Sequence, residues 1–288
     1  MTPGYINNVS VVVATRHDAE QVENRISAML PSSGVELIVV YDEGRGVSYA
    51  RNLGLEHADG KWVLFIDDDD HIDPSIFNTL NHRLSNTTDT IDRIGIIEWG
   101  YNIVDGNKIQ TVKLADEPEI FSSANLVELM VDNKRFTSNL WNKLIRRELI
   151  GTLRFNESLS YGEDWDFLWR LISATTTLDM LIIPDILYDY QQHAQQVSAG
   201  FNKAKLTLPA AWTTMLHDIS THHPSLLGEA RATFASQLTV SLYSAYRSHT
   251  AKAVTRPLRK ALRIQLPQLW KSPRHSLKKK LAATWLSL

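Results

Sequence analysis

The stretch KWVLFIDDDDHIDP, residues 61–74, runs an apolar segment straight into four adjacent aspartates. WVLFI (62–66) is short, bulky and continuous in its apolarity, which reads as a strand buried on both faces. Four like charges at its end repel one another unless water or a cation screens them. An acidic run in that place is ordinarily a solvated loop, and aspartate also caps helices and turns. Asp67 and Asp69, however, are oxygen donors spaced to reach one point from an extended turn. A hard divalent ion, Mg2+ or Mn2+, would relieve the repulsion there and leave positions for phosphate oxygens.

Working outward, VSVVVA (9–14) and VELIVVY (35–41) are two further apolar runs of strand length. Between them lies DAEQVENRISAML (18–30), with Val22, Ile26 and Met29 at helical spacing and Asp18 placed to cap it. GVSYARNLGLEHA (46–58) reads as a helix weakened by Gly54, and Pro74 opens another. Strand, helix, strand, helix, strand, helix is the pattern of an α/β fold with a mostly parallel sheet flanked by helices. Ligands of such sheets bind outside the carboxyl ends of the strands, so Thr15, Asp42 and Asp67 should share one rim.

Beyond residue 90 the order changes. Asp105-Gly106-Asn107 predicts a hairpin. Residues 122–133, 138–150 and 163–174 read as helical, and 178–190 as a strand interrupted by Pro184. From about 203 the text is helical, with breaks expected near Pro224, Pro257, Pro267 and Pro273. Composition places a boundary near 200, giving a catalytic domain over 1–200 and a helical C-terminal region over 201–288.

The chain has 288 residues, 43% of them hydrophobic, enough for a sizeable core. It has no cysteine, so disulfides and thiolate metal sites are excluded. MTPGYINNVS does not read as a secretory leader, and no apolar run reaches the roughly 18 residues of a membrane span. A cytoplasmic location, peripheral at the inner face of the membrane, is the expectation. The formal charge of -2 conceals an asymmetry: residues 251–288 hold ten lysines and arginines and no acid. With interleaved Leu and Trp, that tail reads as an element for an anionic membrane surface, or else as a solvated cap or oligomer contact. Nucleic acid is not expected, because the body is acidic and no binding motif is present.

YGEDWDFLWRL (161–171) carries a second acidic group, Glu163, Asp164 and Asp166. Acids in a first helical turn favour the helix dipole and often do nothing more. Trp165 beside them would either stack on a sugar ring or fill the core.

Taken together and in this order, VSVVVATRHDAEQVENRISAML, ELIVVYDEGRGVSYARNLGLEHADGKWVLFIDDDDHIDP, WNKLIRREL and YGEDWDFLWRL resemble the inverting family 2 glycosyltransferases of GT-A fold, over residues 9–195. The resemblance implies a nucleotide-sugar donor, most simply a UDP-sugar, a divalent metal, and a glycan or lipid-linked acceptor in cell-envelope polysaccharide synthesis. It implies Asp69 as metal ligand, Asp67 at the ribose or the metal shell, and Asp68 and Asp70 as outer or solvated acids, Asp68 on the nucleotide side. Thr15 and Asp42 would line the base pocket, where a carboxylate can accept from an imide N–H. Arg51 matches a basic residue near the nucleotide; read alone it is a surface helix charge. The general base is implied at Asp164, with Glu163 positioning the acceptor and Asp166 as the rival. His193 in LYDYQQH would touch the diphosphate or complete the metal shell. Trp141, Asn142 and Lys143 match a segment preceding the acceptor site. The family usually has a longer segment after the second strand; here EGRG is nearly all that remains, which implies a shortened or more open nucleotide pocket.

Three other readings stand beside this one. A catalytically silent sugar-binding module could keep the fold. An aspartate-nucleophile phosphatase also places Asp-x-Asp after an apolar strand, but usually on the first strand and with Thr or Val where His71 stands here. A nucleotidyltransferase would carry a glycine-rich basic loop, which ATRHDAE lacks.

Overall fold

A computed structural model describes residues 5–86, 91–132, 135–175, 177–192 and 200–288. The three apolar runs form β1 (Val9–Thr15), β2 (Val35–Tyr41) and β3 (Trp62–Asp67). They are linked through α1 (Ala19–Ser27), capped by the Asp18 carboxylate, and α2 (Val47–His57). β1 lies parallel between β2 and β3, with Thr15 opposite Tyr41 and Ala14 opposite Asp67, so all three strands end at one rim. The two-residue periodicity divides the side chains between two cores. Val11, Val13, Leu64 and Ile66 enter the one shared with α1 and α3 (Ile76–Ser85); Val12, Val63 and Phe65 enter the other.

Gly54 is the reason α2 sits so close to the sheet. A Cβ at that position would lie 2.3 Å from Val12 Cγ1, so the residue that weakens the helix by propensity is required by packing.

After β4 (His71–Ile72) and α3, the chain forms the hairpin β5 (Ile94–Asp105) and β6 (Lys108–Val112), then β7 (Glu119–Phe121) and α4 (Ser123–Asp132). The expectation of helix over 138–150 is corrected. β8 (Lys143–Arg146) is an interior strand between β3 and β5, antiparallel to both, and only α5 (Arg147–Ile150) is helical. All four residues of β8 are buried, so it shows no alternation to mark it as a strand. α6 (Glu163–Ala174) leads into β9 (Asp179–Gln191), parallel to β5 with its register broken around Pro184. The sheet order is β2-β1-β3-β8-β5-β9-β4, with β6 on β5 and β7 on β9.

The remaining helices are α7 (Leu208–His222), α8 (Leu227–Arg247), α9 (Arg256–Lys271) and α10 (Leu277–Ser287). Pro267 does not break α9; it is accommodated inside that helix on its exposed side. These helices share a hydrophobic core with α4, α6 and one face of the sheet. Trp165 of α6 stacks on Trp212 of α7 at 5.0 Å, and Trp212 on Phe234 of α8 at 5.0 Å. Among the described residues no helix is long and apolar enough to cross a membrane.

Candidate active site

The rim formed by β1, β2 and β3 faces the start of α6, and Arg51 of α2 joins them. Arg51 is 5% exposed. Nη1 donates to Asp164 Oδ1 at 2.5 Å and to Glu163 Oε1 at 3.4 Å, and Nη2 donates to Asp67 Oδ1 at 3.2 Å. The neighbouring Asn52 ties the same helix to the loop before α6: Nδ2 donates to Phe155 O at 3.1 Å, and the Phe155 amide donates to Asn52 Oδ1 at 2.7 Å. Gly162 precedes the two α6 acids at φ +86°, a left-handed conformation that L side chains rarely adopt. The reading of Arg51 as a surface helix charge is therefore overturned.

One buried cation meets three carboxylates here, and the balance is negative. Burial pushes the Asp67 carboxyl up to about 6; Asp164 and Asp69 push the same way, against Arg51. Burial likewise raises Asp164 to about 7, with Glu163 adding to the shift and Arg51 and Lys143 opposing it. Burial alone would lower the Arg51 pKa, but Asp164, Asp67 and Glu163 outweigh it and raise the value further.

Thr15 is buried at the end of β1; its hydroxyl donates to the Asp68 carboxylate and accepts from the His17 amide at 2.9 Å. Asp42 is buried too. Its Oδ2 accepts from Arg16 Nε at 2.7 Å and its Oδ1 from the Gly44 amide at 2.9 Å. Burial would raise its pKa, but Arg16 and the Gly44 amide more than offset that and hold it below the usual carboxylate range. Both oxygens of Asp42 are thus engaged, one by Arg16 from the loop after β1 and one by the short turn that EGRG makes.

Asp70 is not solvated, contrary to one of the two expectations for it. It is fully buried: Oδ2 accepts from the Tyr188 hydroxyl at 2.7 Å and Oδ1 from the Gln191 amide at 2.7 Å. The Asp67 amide donates to the same Tyr188 oxygen at 3.3 Å. Burial, with Asp67 second, pushes Asp70 up to about 8. The fourth aspartate therefore straps the acidic turn to β9. The available signal was YDY in β9, two tyrosines at strand spacing whose hydroxyls need partners when buried.

Asp166 faces away from this cluster. Arg170 one turn on donates to Asp166 Oδ2 at 2.9 and 2.6 Å. Trp165 is 2% exposed and packed on Trp212, so it fills the core and is closed to a sugar ring. Trp141 is buried, stacked on Tyr188 at 4.6 Å and on Tyr190 at 5.5 Å. Lys143 is fully buried; its Nζ donates to Glu98 Oε1 at 2.8 Å, Thr137 O at 2.7 Å and Asn139 O at 2.8 Å. Asn142 Nδ2 donates to Trp99 O at 3.0 Å. WNK thus forms a buried polar strut whose lysine also favours ionised Asp164.

Asp69 is half-buried on the turn. His193 lies outside the described residues. Among the described residues no three His, Asp or Glu side chains are grouped to hold a metal. A Mg2+ or Mn2+ ion still suits the rim in another form. Such ions keep several waters and often take only one or two carboxylates besides substrate phosphates, and Asp67 with half-buried Asp69 is an oxygen donor set of that kind.

A family model described as glycosyltransferase-like family 2 matches residues 5–212. The chain belongs to that family. Among its relatives, EpsH of Bacillus subtilis (strain 168), whose name classes it as a glycosyltransferase, is 25% identical over 169 residues, 57% of this chain and 47% of EpsH. The succinoglycan biosynthesis protein ExoO of Rhizobium meliloti (strain 1021) is 25% identical over 167 residues, 56% of this chain and 46% of ExoO. The matched part thus spans just under half the length of each relative. S. aureus TarS 1-349, solved in complex with UDP-GlcNAc, superposes with a TM-score of 0.63 at 15% identity, covering 91% of this chain and 81% of that one. At that identity the likeness is one of fold, and the family 2 chain has the expected GT-A architecture with a helical C-terminal region.

Proposed function

We propose that this chain transfers a sugar from a nucleotide-sugar donor to a hydroxyl of a glycan or lipid-linked acceptor, with inversion at the anomeric carbon. The observation that carries the reading is the Arg51 junction, which gathers Asp67 from the end of β3 with Glu163 and Asp164 from the start of α6. Two motifs nearly a hundred residues apart meet at the rim where α/β sheets bind ligands.

Asp164 is the base in this reading. A sugar hydroxyl is a poor nucleophile, and a carboxylate raised to about 7 is well matched to taking its proton near neutral pH. The proton passes to Asp164 as the acceptor oxygen bonds to the anomeric carbon. The bond from that carbon to the diphosphate oxygen breaks, and the diphosphate leaves with the electron pair from the opposite face. Glu163 orients the acceptor, and Arg51 fixes both acids relative to Asp67. Thr15, Asp42 and Asp68 form the nucleotide side. A uracil base is favoured by the fold likeness to TarS bound to UDP-GlcNAc. Asp69 with Asp67 would hold Mg2+ or Mn2+, which when bound supplies positive charge for the departing diphosphate. A role in polysaccharide synthesis is in keeping with the name of ExoO, a succinoglycan biosynthesis protein.

The test combines thermal shift with a transfer assay. UDP-sugars with Mn2+ should raise the melting temperature of the wild type and of Asp164→Asn, but not of Asp69→Ala. Asp164→Asn should lose transfer by at least about a hundredfold, the low end of what a general base contributes. Transfer by Asp164→Asn at the wild-type rate would overturn the base assignment, and a wild type that no nucleotide sugar stabilises would overturn the donor class.

A further inference from the structure

The last helix turns an apolar stripe toward solvent. Along α10, Leu277, Leu281 and Trp285 are 63%, 55% and 52% exposed, and Leu288, which caps it, is 71% exposed. Their spacing of four, four and three places them on one side, while Ala283 and Leu286 on the other side are buried. A helix packed on a globular body normally turns such a stripe inward. Two aromatics from neighbouring helices widen the patch. Tyr246 of α8 meets the Trp285 ring edge-to-face at 4.8 Å, and exposed Trp270 of α9 donates its indole N–H to Thr284 Oγ1 at 3.1 Å.

The surroundings are positive. Of the ten cations in 251–288, Arg274 alone forms an ion pair among the described residues, with Asp132 and Glu229. Exposed Lys278 borders the stripe on one side, and Lys280, whose Nζ donates to Trp270 O at 3.1 Å, on the other. Arg259 and Arg263 donate to the carbonyls of Leu286 and Ser287, which fastens the carboxyl end of α10 to α9. The patch is thus held rigidly.

We propose that this face docks on an anionic lipid surface. Leu277, Leu281, Trp285 and Leu288 enter the boundary between headgroups and acyl chains, and Lys278 and Lys280 meet lipid phosphates. Leucine and tryptophan edged by lysine, with no acid in the segment, is the chemistry of an interfacial helix. A second copy seated on the same face would bring like charges together, and that argues against self-association. The inference stands apart from the catalytic reading and does not depend on it.

The test is flotation of the full chain with vesicles of phosphatidylcholine alone and of a three-to-one mixture with phosphatidylglycerol. Binding is expected to the mixed vesicles only and to weaken as salt rises. Lys278→Ala should lower partitioning about fivefold. Leu277→Ser with Leu281→Ser should lower it at least about tenfold while melting like the wild type, since both side chains are mostly exposed. Failure to float with the mixed vesicles would overturn the proposal, and so would flotation that these variants leave unchanged. A concentration-dependent dimer abolished by Leu281→Ser, without flotation, would assign the face to a second copy and equally overturn it.

Discussion

Arg51 meets Asp67, Glu163 and Asp164 with one charge against three, in a place where water screens little. Removing the cation leaves carboxylates from β3 and α6 facing one another without compensation. Arg51→Met should therefore cost roughly 3–5 kcal/mol of stability, as breaking a buried ion pair does. Urea denaturation checks this, and a loss below about 1 kcal/mol would mean that the acids are screened by something else. The same residues set a pH dependence. Asp164 must be ionised to take a proton, so kcat/KM should climb with pH through about 7 and level off above it. Glu163 pushes the Asp164 pKa upward, so Glu163→Gln should move the midpoint of that profile to lower pH. A midpoint that stays put would separate Glu163 from the base. Asp67 was legible in the sequence because motif and strand end coincide, whereas Glu163 and Asp164, at the start of a helix, were singled out only by the family resemblance. Arg51 was marked by the resemblance as a residue near the nucleotide, but its pairing with these acids was not legible: it lies 112 residues before Glu163 and 113 before Asp164, and nothing local to ARN marks it as buried.

Among the elements, those of the first half were legible because β1, β2 and β3 are each a continuous apolar run separated by amphipathic helices. β8 was not: KLIR is four residues long, buried throughout, and continues directly into the short helix α5, so periodicity had nothing to measure. Trp165 was half-legible, since it shares with Leu168, Trp169 and Ile172 the three- and four-residue spacing of the buried side of α6. α2 illustrates local preference yielding to packing. Gly54→Ala raises helix propensity yet drives a Cβ to within 2.3 Å of Val12 Cγ1. The net effect should be destabilising by roughly 1–3 kcal/mol, and Val12→Ala in the same chain should recover part of it. Denaturant melts of the two single variants and the double variant close the cycle. Additive losses would show that Gly54 is not there for the approach to β1. Because α2 carries Arg51, the double variant also tests whether the junction tolerates a shift of its helix.

At the scale of the molecule, the helix that bears the proposed base has its back against the C-terminal helices. Trp165 follows Asp164 directly and packs on Trp212, which packs on Phe234, so one aromatic column runs from the rim acids through α6 and α7 to α8. Composition marks a change near residue 200, but a change of composition does not require a break in the core, and here the core passes through it. This arrangement makes the helical region a support for the site. Trp212→Ala removes a fully buried ring from the middle of the column and should cost about 3–5 kcal/mol. If the column couples the two regions, that loss lowers one cooperative transition, seen at the same urea concentration by circular dichroism of the whole backbone and by tryptophan fluorescence. Binding of a nucleotide sugar should then shift the wild-type transition as a single step, because the ligand holds the folded state of both regions at once. Two separated transitions, with only the first moved by Trp212→Ala and only the second by ligand, would mean instead that α7–α10 unfold on their own and that the rim acids keep their geometry without them.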